Sequence, residues 1–216
     1  MCLKTILDMF MKSNTAVTPD VAPTVPQPQS ASISNINFND IIITKNSLKW
    51  EYIVLHHSWS PDNNVTSDWD GIKRYQMSWR YNDTAISSDR AKALIIQGKK
   101  VIAPDLDIAY NFGLEYVNKS FVYRIGRPLS MQGAHTIGFN YVSIGICIIG
   151  NYDLVEPDIQ QYDMLVKLCK ELQRLYNIPN NKVIGHRETY AIRKVPIEKS
   201  CPGNKINLDK FRGMLI

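Results

Sequence analysis

The sequence predicts an α/β fold in three layers, with a central mixed β-sheet flanked by helices. Three observations lead to this prediction. From Ile36 onward, short apolar runs typical of buried strands alternate with helix-like segments. Hydrophobic residues make up 44% of the chain and charged residues 21%, which is the balance of a globular protein. The length of 216 residues is enough for one compact domain and a tail, so a single active site is expected.

The first predicted strand and helix carry the first candidate site residue. The apolar run 52–55, YIVL, predicts a buried strand that delivers His56 at its carboxyl end. Asp68 and Asp70 follow a threonine and a serine, a pattern that is typical of a helix N-terminus. We therefore expect an amphipathic helix over 67–80.

Three further strands are predicted in the middle of the chain. The segments 108–117 and 120–125 have the composition of strands, and the tight turn at 118–119 between them predicts a hairpin. The run 143–149, SIGICII, predicts another buried strand.

A long amphipathic helix is predicted over 160–176, because apolar residues recur there at helical spacing before Pro179. Cys169 lies on the apolar stripe of this helix, where a free cysteine behaves as a small hydrophobic residue. Cys147 lies among isoleucines in a predicted strand, so we also expect it in the core.

The start of the chain has a different character. Residues 1–12 form an amphipathic segment, for which a frayed helix is the simpler interpretation and an anchoring helix the alternative. Residues 13–35 are rich in Pro, Ser and Thr and predict a linker, so the folded domain is expected over 36–216. Asp8 interrupts the only early apolar stretch, which argues against a signal peptide, and no run has the ~20 apolar residues of a membrane span.

Charge and cysteine content restrict the class of protein. A formal net charge of +5 favours encounters with polyanions such as nucleic acid, anionic lipid or a wall polymer. Nucleic acid is not expected, because no Lys/Arg cluster is interleaved with aromatic residues. The four cysteines include no CxxC pair, which favours synthesis in a reducing compartment. We expect a monomer by default.

Histidine and cysteine residues form a candidate metal site. A catalytic zinc site takes three protein ligands from His, Cys or carboxylate groups and leaves a fourth position open. Such a set could come from His56, from His186 in GHRE and from Cys201 in KSCPG. The spacing alone identifies nothing, but Cys201 follows His186 by fifteen positions and precedes Pro202-Gly203, so a loop can return the thiol to the same face.

Several ordered motifs resemble those of a known family. They are YIVLHHSWS, DIAYNFGLE, GRPLSMQGAHTIGFNYVSIGICIIGNY, GHRE and KSCPG. This chain resembles, over roughly 52–211, the zinc amidases that cleave N-acetylmuramoyl-L-alanine. The family includes bacteriophage lysozyme-type amidases and shares its fold with peptidoglycan recognition proteins.

The resemblance implies roles for individual residues. It implies that His56, His186 and Cys201 bind Zn²⁺ in a cleft at one end of the sheet. It also implies that Tyr110 and Lys199 are catalytic residues, Lys199 facing the reacting carbonyl.

Substrate-binding roles are assigned to His135, His57 and Trp59, with His57 as the neighbour of a ligand and not itself a ligand. Packing within the helix over 67–80 is the alternative for the tryptophans of this region. Some relatives use a glutamate at the position of Cys147 as general base, and that role is unfilled here.

One further segment and one further residue are interpreted beside this resemblance. The segment 82–107 is longer than in compact relatives, and we expect a helix and a loop beside the groove. Arg187 could pair with a carboxylate of a stem peptide or with an acidic side chain of the protein.

The resemblance implies hydrolysis of the amide between muramic acid and L-alanine in peptidoglycan. The lack of a signal peptide suits a phage or prophage endolysin that is made in a bacterial cytoplasm and acts on the wall after release. Three alternatives stay open: a non-catalytic module that binds peptidoglycan, a structural zinc site in an interaction protein, and an amidase for soluble muropeptides.

Overall fold

The computed structural model describes residues 48–60 and 68–216. The predicted N-terminal segment 1–12, the linker 13–35 and the beginning of the predicted domain lie outside the described residues. No helix among the described residues is long and apolar enough to cross a membrane.

Five strands form a mixed central sheet, as predicted. The strands within the described residues are β1 (Tyr52–His57), β2 (Trp79–Tyr81), β3 (Thr84–Ile86), β4 (Phe112–Val117), β5 (Ser120–Ile125), β6 (Ser143–Ile148) and β7 (Val183–Gly185). In the central sheet the order is β5-β4-β6-β1-β7, and β2 pairs with β3 separately. β6 runs parallel to β1 and to β4, and β7 runs parallel to β1. The β4–β5 hairpin is antiparallel.

Five α-helices accompany the strands within the described residues. They are α1 (Trp69–Gln76), α2 (Ser88–Ile96), α3 (Ile159–Tyr176), α4 (His186–Ile192) and α5 (Leu208–Gly213). α3 confirms the predicted long helix, and it ends where Asn177 takes a left-handed conformation. The predicted hairpin turn is confirmed at Asn118 and Lys119, which have φ angles of 49° and 65°.

One face of the sheet, named here the core face, packs against α3 and α5. Successive residues of a strand point to opposite faces, and the isoleucines and leucines of one parity enter a single buried cluster. Its members include Ile53, Leu55, Ile144, Ile146, Ile148, Leu165, Leu168, Cys169, Leu172 and Phe211. The prediction that Cys169 belongs to the core is confirmed. Each fully buried aliphatic side chain of this kind contributes about 1.5–3 kcal/mol.

The opposite face, named here the cavity face, is covered in part by α1. Trp69 and Ile72 of this helix pack with Ile108, Cys147 and Ile149. The core assignment of Cys147 is therefore confirmed, and helices on both faces give the predicted three layers.

The predicted helix over 67–80 is too long. Asp68 caps α1 by accepting a hydrogen bond from the Gly71 amide at 2.6 Å, but the helix ends at Gln76. Trp79–Tyr81 instead forms β2, because Asn82 and Asp83 have φ angles of 48° and 60°, which suit a tight turn into β3.

The predicted strand over 108–117 also begins later, at Phe112. The Asn111 amide already donates to the Gly145 carbonyl of β6 at 2.9 Å, but the backbone before it bonds to side chains and a loop. The Ala109 amide donates to Oε1 of Gln76 at 2.7 Å, and the Ala109 carbonyl accepts from Ala134 at 3.0 Å.

Candidate metal centre

Three residues that are distant in sequence form one potential metal-binding group. His56 lies at the carboxyl end of β1, His186 is the first residue of α4 after β7, and Cys201 lies in the following loop. Because β1 and β7 are parallel neighbours, their carboxyl ends meet at the same edge of the sheet. One ligand atom from each of the three residues lies within 4.8 Å of the others. His56 Nδ1 and Cys201 Sγ are 3.6 Å apart.

The surroundings keep both histidines neutral and able to donate a lone pair. Burial, followed by the charge of His186, holds the pKa of His56 well below its usual value. Burial, followed by the ammonium of Lys199, lowers the pKa of His186 to about 3. Two neutral imidazoles and a thiol that face one cavity match the donor set of a catalytic zinc site. The residues present therefore fit zinc.

Arg187 holds the Cys201 loop through hydrogen bonds to its backbone carbonyls. Its backbone amide donates to the Cys201 carbonyl at 2.7 Å. Its guanidinium donates to the carbonyls of Ser200, Gly203 and Ile206 at 2.9, 2.7 and 2.9 Å. The charge of Arg187 also helps to lower the pKa of Asp153, an acidic side chain of the protein, while the guanidinium hydrogen bonds go to backbone carbonyls. The Arg187 side chain thus binds the backbone of the Cys201 loop.

Asp153 holds the same loop from the other side. Its carboxylate accepts from the Ser200 hydroxyl at 2.6 Å and from the Asn204 amide at 2.8 Å. Burial alone would raise the pKa of Asp153, but the hydrogen bonds from Ser200 and Asn204 outweigh it and lower that pKa below its usual value. The loop is thus fixed at both ends, so Cys201 is held in place relative to His56.

A cavity of about 330 Å³ opens over this group. Every site residue predicted from the sequence lines it: His56, His57, Trp59, Tyr110, His135, His186, Lys199 and Cys201. The structure therefore brings the whole predicted set to one place.

Tyr110 forms one wall of the cavity beside the metal-binding group. Its ring centroid lies 5.1 Å from that of His56, and it also packs against Trp69. Burial raises the pKa of the neighbouring Cys147 thiol well above its usual value, with Cys201 adding to the effect and a hydrogen bond with Tyr110 opposing it. Cys147 is therefore a neutral thiol and does not replace the missing glutamate as a base.

The three predicted substrate-binding residues are placed differently from one another. Trp59 is partly exposed at the cavity and has a left-handed backbone with φ 66°. His57 shares the parity of the core-face residues, and its Nδ1 accepts from the Tyr152 amide at 3.2 Å. His135 is buried, and its Nδ1 lies 3.0 Å from Nε2 of His56. Burial lowers the pKa of both His57 and His135 to about 4.

The far wall of the cavity contains residues that sequence reasoning missed. Arg80 of β2 donates to Asp105 at 2.9 Å, and both line the cavity with Asp83 and Ile102. The only signal in the sequence was the length of the segment 82–107, which supplies three of these four residues. The prediction of a helix and a loop beside the groove is confirmed in its outline, with α2 as the helix.

Comparison with known proteins places this geometry in a family. A sequence profile of N-acetylmuramoyl-L-alanine amidases matches residues 46–204. The chain belongs to this family. This chain is also 36% identical over 75 residues to a peptidoglycan recognition protein from Trichoplusia ni. The match covers 34% of this chain and 37% of that protein. That match spans little more than a third of the relative's length.

Solved structures of amidase-family proteins share the fold. The N-acetylmuramoyl-L-alanine amidase LysC from Clostridium intestinale URNW has a TM-score of 0.50 and 21% identity, covering 90% of this chain and 98% of its own. Peptidoglycan recognition protein-LE in complex with tracheal cytotoxin, a monomeric diaminopimelic acid-type peptidoglycan, has a TM-score of 0.50 and 20% identity. The coverage in that case is 78% of this chain and 82% of the other.

Proposed function

We propose that this protein is a zinc-dependent amidase that hydrolyses the bond between the lactyl group of N-acetylmuramic acid and L-alanine in peptidoglycan. The observation that carries the proposal is the group of His56, His186 and Cys201, which opens into a cavity lined by Tyr110 and Lys199. Family membership supports the reaction type. The bound peptidoglycan fragment of recognition protein-LE supports the class of substrate.

The metal would be held by His56, His186 and Cys201. Zinc at this place supplies Lewis acidity, which polarises a carbonyl group and makes water more acidic. Arg187 and Asp153 keep the Cys201 loop in position for this purpose. The remaining chemistry falls to side chains of the cavity.

Lys199 stabilises the negative charge that develops on the carbonyl oxygen when water attacks the amide. Its ammonium is close enough to the group to lower the pKa of His186. A single donor of this kind is worth about 2.7–4 kcal/mol of transition-state stabilisation.

Tyr110 orients the attacking water, donates its hydroxyl proton to the leaving nitrogen of L-alanine, and regains a proton from the water as the water attacks. The neutral Cys147 cannot accept the proton of the water, and the Tyr110 ring lies beside His56 in the cavity, so this role is proposed for the tyrosine hydroxyl. Trp59, with its indole beside the cavity, is proposed to contact the sugar or the stem peptide. A substrate contact by His57 stays a prediction.

A peptidoglycan digest tests the proposal. Purified wall is treated with the wild type and with Cys201→Ser, with and without a chelator, and released fragments are analysed by mass spectrometry. Stem peptides that begin with L-alanine are expected from the wild type and not from Cys201→Ser, and only without chelator. Cys169→Ala is the matched control, because it removes a buried cysteine from α3 far from the cavity, and it should retain activity.

Other results of the digest would contradict the proposal. An intact wall that still binds the protein would indicate a recognition module instead. Release that persists with the chelator or with Cys201→Ser would exclude zinc-dependent hydrolysis. The relative rates on intact wall and on soluble muropeptides separate a wall-lytic role from a recycling role. Phage or prophage origin and synthesis in a bacterial cytoplasm stay predictions.

A further inference from the structure

We infer that His135 is a positioning residue for the zinc ligand His56, holding its imidazole through a side-chain hydrogen bond at the edge opposite the metal. This inference rests on the proposed zinc centre. It gives His135 a different role from the substrate contact expected from the sequence. The ring is turned toward His56 and is only 9% exposed.

The contacts of His56 divide its ring into two sides. Nδ1 faces Cys201 and the metal-binding group, at 3.6 Å from the sulfur. Nε2 faces away from that group, at 3.0 Å from Nδ1 of His135 and 3.3 Å from the Thr136 hydroxyl. His56 can therefore bind a metal through Nδ1 while Nε2 is held by the protein.

The direction of the hydrogen bond between His56 and His135 follows from the ring nitrogens that do not take part in it, Nε2 of His135 and Nδ1 of His56. Nε2 of His135 lies 3.4 Å from the Ser143 carbonyl, which can only accept, so this nitrogen carries the proton. Nδ1 of the neutral His135 is then an acceptor and receives the Nε2 proton of His56. At the other end, a metal requires a free lone pair on His56 Nδ1, which demands the same tautomer. Both ends thus specify one arrangement.

The surrounding backbone fits closely around the His135 ring. A Cβ atom on Gly145 would lie 2.5 Å from Cδ2 of the His135 ring, and one on Gly133 would lie 2.3 Å from the same atom. The side chain of Asn140 accepts from the amides of His135 and Thr136 at 2.9 and 2.8 Å. The ring therefore sits in a slot made by two glycines, in a loop that Asn140 closes.

A fixed partner of this kind increases metal affinity by holding the ligand ring in the binding orientation and raising its basicity. Loss of such a partner typically weakens metal binding by about 10- to 100-fold. We expect this weakening for His135→Leu, measured as the zinc dissociation constant by competition with a chromophoric chelator at one fixed pH. His135→Asn places an amide oxygen near the position of Nδ1, so it should recover most of the affinity. Thr136→Val should have a smaller effect.

Gln161→Leu is the matched control. It also replaces a buried polar side chain with leucine, but Gln161 bonds to Tyr152 and contacts none of the ligands. The zinc affinity of Gln161→Leu should stay within about twofold of the wild type, since a residue tunes a metal ligand by hydrogen-bonding to it. Thermal unfolding of the metal-free proteins checks that each variant is folded.

Zinc affinity of His135→Leu equal to that of the wild type would overturn the inference while leaving the metal centre intact. Should the leucine variant not fold, His135→Asn is compared with His135→Gln, whose amide reaches the Nε2 position instead of the Nδ1 position. Tighter zinc binding by the asparagine variant supports the role, and equal binding overturns it. A wild type that binds no zinc contradicts the proposed function itself, whatever the variants do.

Discussion

The two faces of the central sheet use the same strands for different purposes. On the core face, isoleucine and leucine side chains pack against α3 and α5 in one apolar cluster. On the cavity face, β1 and β6 present His56, Gly145 and Cys147, and the glycine leaves room for the His135 ring. Alternation along one strand thus separates stability from chemistry. A substitution should affect mainly one of the two, according to the face it occupies.

The largest separation is expected for Tyr110→Phe. The variant keeps the ring that packs on Trp69 and removes only the hydroxyl, so hydrolysis of peptidoglycan should fall by about 100- to 10,000-fold. Zinc content should not change, and the free energy of unfolding should change by no more than about 1 kcal/mol. Rates of stem-peptide release and denaturant titration measure the two quantities.

Tyr123→Phe makes the same chemical change on the other side of the sheet. The Tyr123 hydroxyl is buried and donates to the Met164 carbonyl at 2.9 Å. Its loss should reduce stability by about 1 kcal/mol and leave the rate unaltered. Full activity in Tyr110→Phe would remove the catalytic role assigned to this tyrosine.

Leu165→Ala should show the opposite pattern. Leu165 is completely buried at the centre of α3, so truncation should lower the free energy of unfolding by about 2–5 kcal/mol. The rate per folded molecule should remain that of the wild type. Leu154→Ala, at a position that is 70% exposed, should change stability by no more than about 0.5 kcal/mol. A fall in the rate per folded Leu165→Ala molecule would show that the two faces are coupled.

Lys199→Ala is expected to lower kcat/KM by about 100- to 1000-fold through loss of charge stabilisation at the carbonyl oxygen. Zinc affinity should be retained, because the ammonium is not a ligand. Lys205→Ala is the control. Lys205 is exposed and lies four residues after Cys201, so this variant removes the same charge outside the cavity. Parallel loss of zinc in Lys199→Ala would mean that this lysine acts on the ligands and not on the carbonyl.

The smallest effect is expected for Asp153→Asn, which weakens one attachment of the Cys201 loop. The loss of stability at pH 7 should be about 1 kcal/mol, since the side chain is only partly buried. Because folding lowers the pKa of Asp153, its contribution is complete above the ordinary carboxyl value of about 3.9. The contribution is lost as the pH falls through the lower folded-state pKa. The stability difference between variant and wild type should therefore shrink in acid, and a difference that widens there contradicts this role.

Much of the fold could be predicted from local sequence patterns. The apolar run of β1, the helical periodicity of α3 and the turn at Asn118-Lys119 each depend on neighbouring residues alone. The end of α1 could not be predicted in this way. Apolar and aromatic residues continue past Gln76, and only the left-handed backbone at Asn82 and Asp83 converts them into a hairpin.

The site was predicted less evenly. Resemblance to a family supplied the residues around the cavity, but it could not supply the contacts between them. The bonds from Arg187 to three carbonyls join backbone groups that have no signature in the sequence. The orientation of His135 toward His56 likewise depends on the space left by Gly145, which lies in β6 while His135 lies in a loop.

The strand order also governs when the proposed metal ligands can come together during folding. β1 lies between β6 and β7, and both partners come from much later parts of the chain. Such distant pairings form slowly, because the entropy of closing a long loop is lost before the strand contacts stabilise the structure. His56 meets His186 and Cys201 only after β7 has joined β1. In a refolding experiment, the capacity to bind zinc should therefore appear after the α3 helix signal, and would serve as a reporter of the completed sheet.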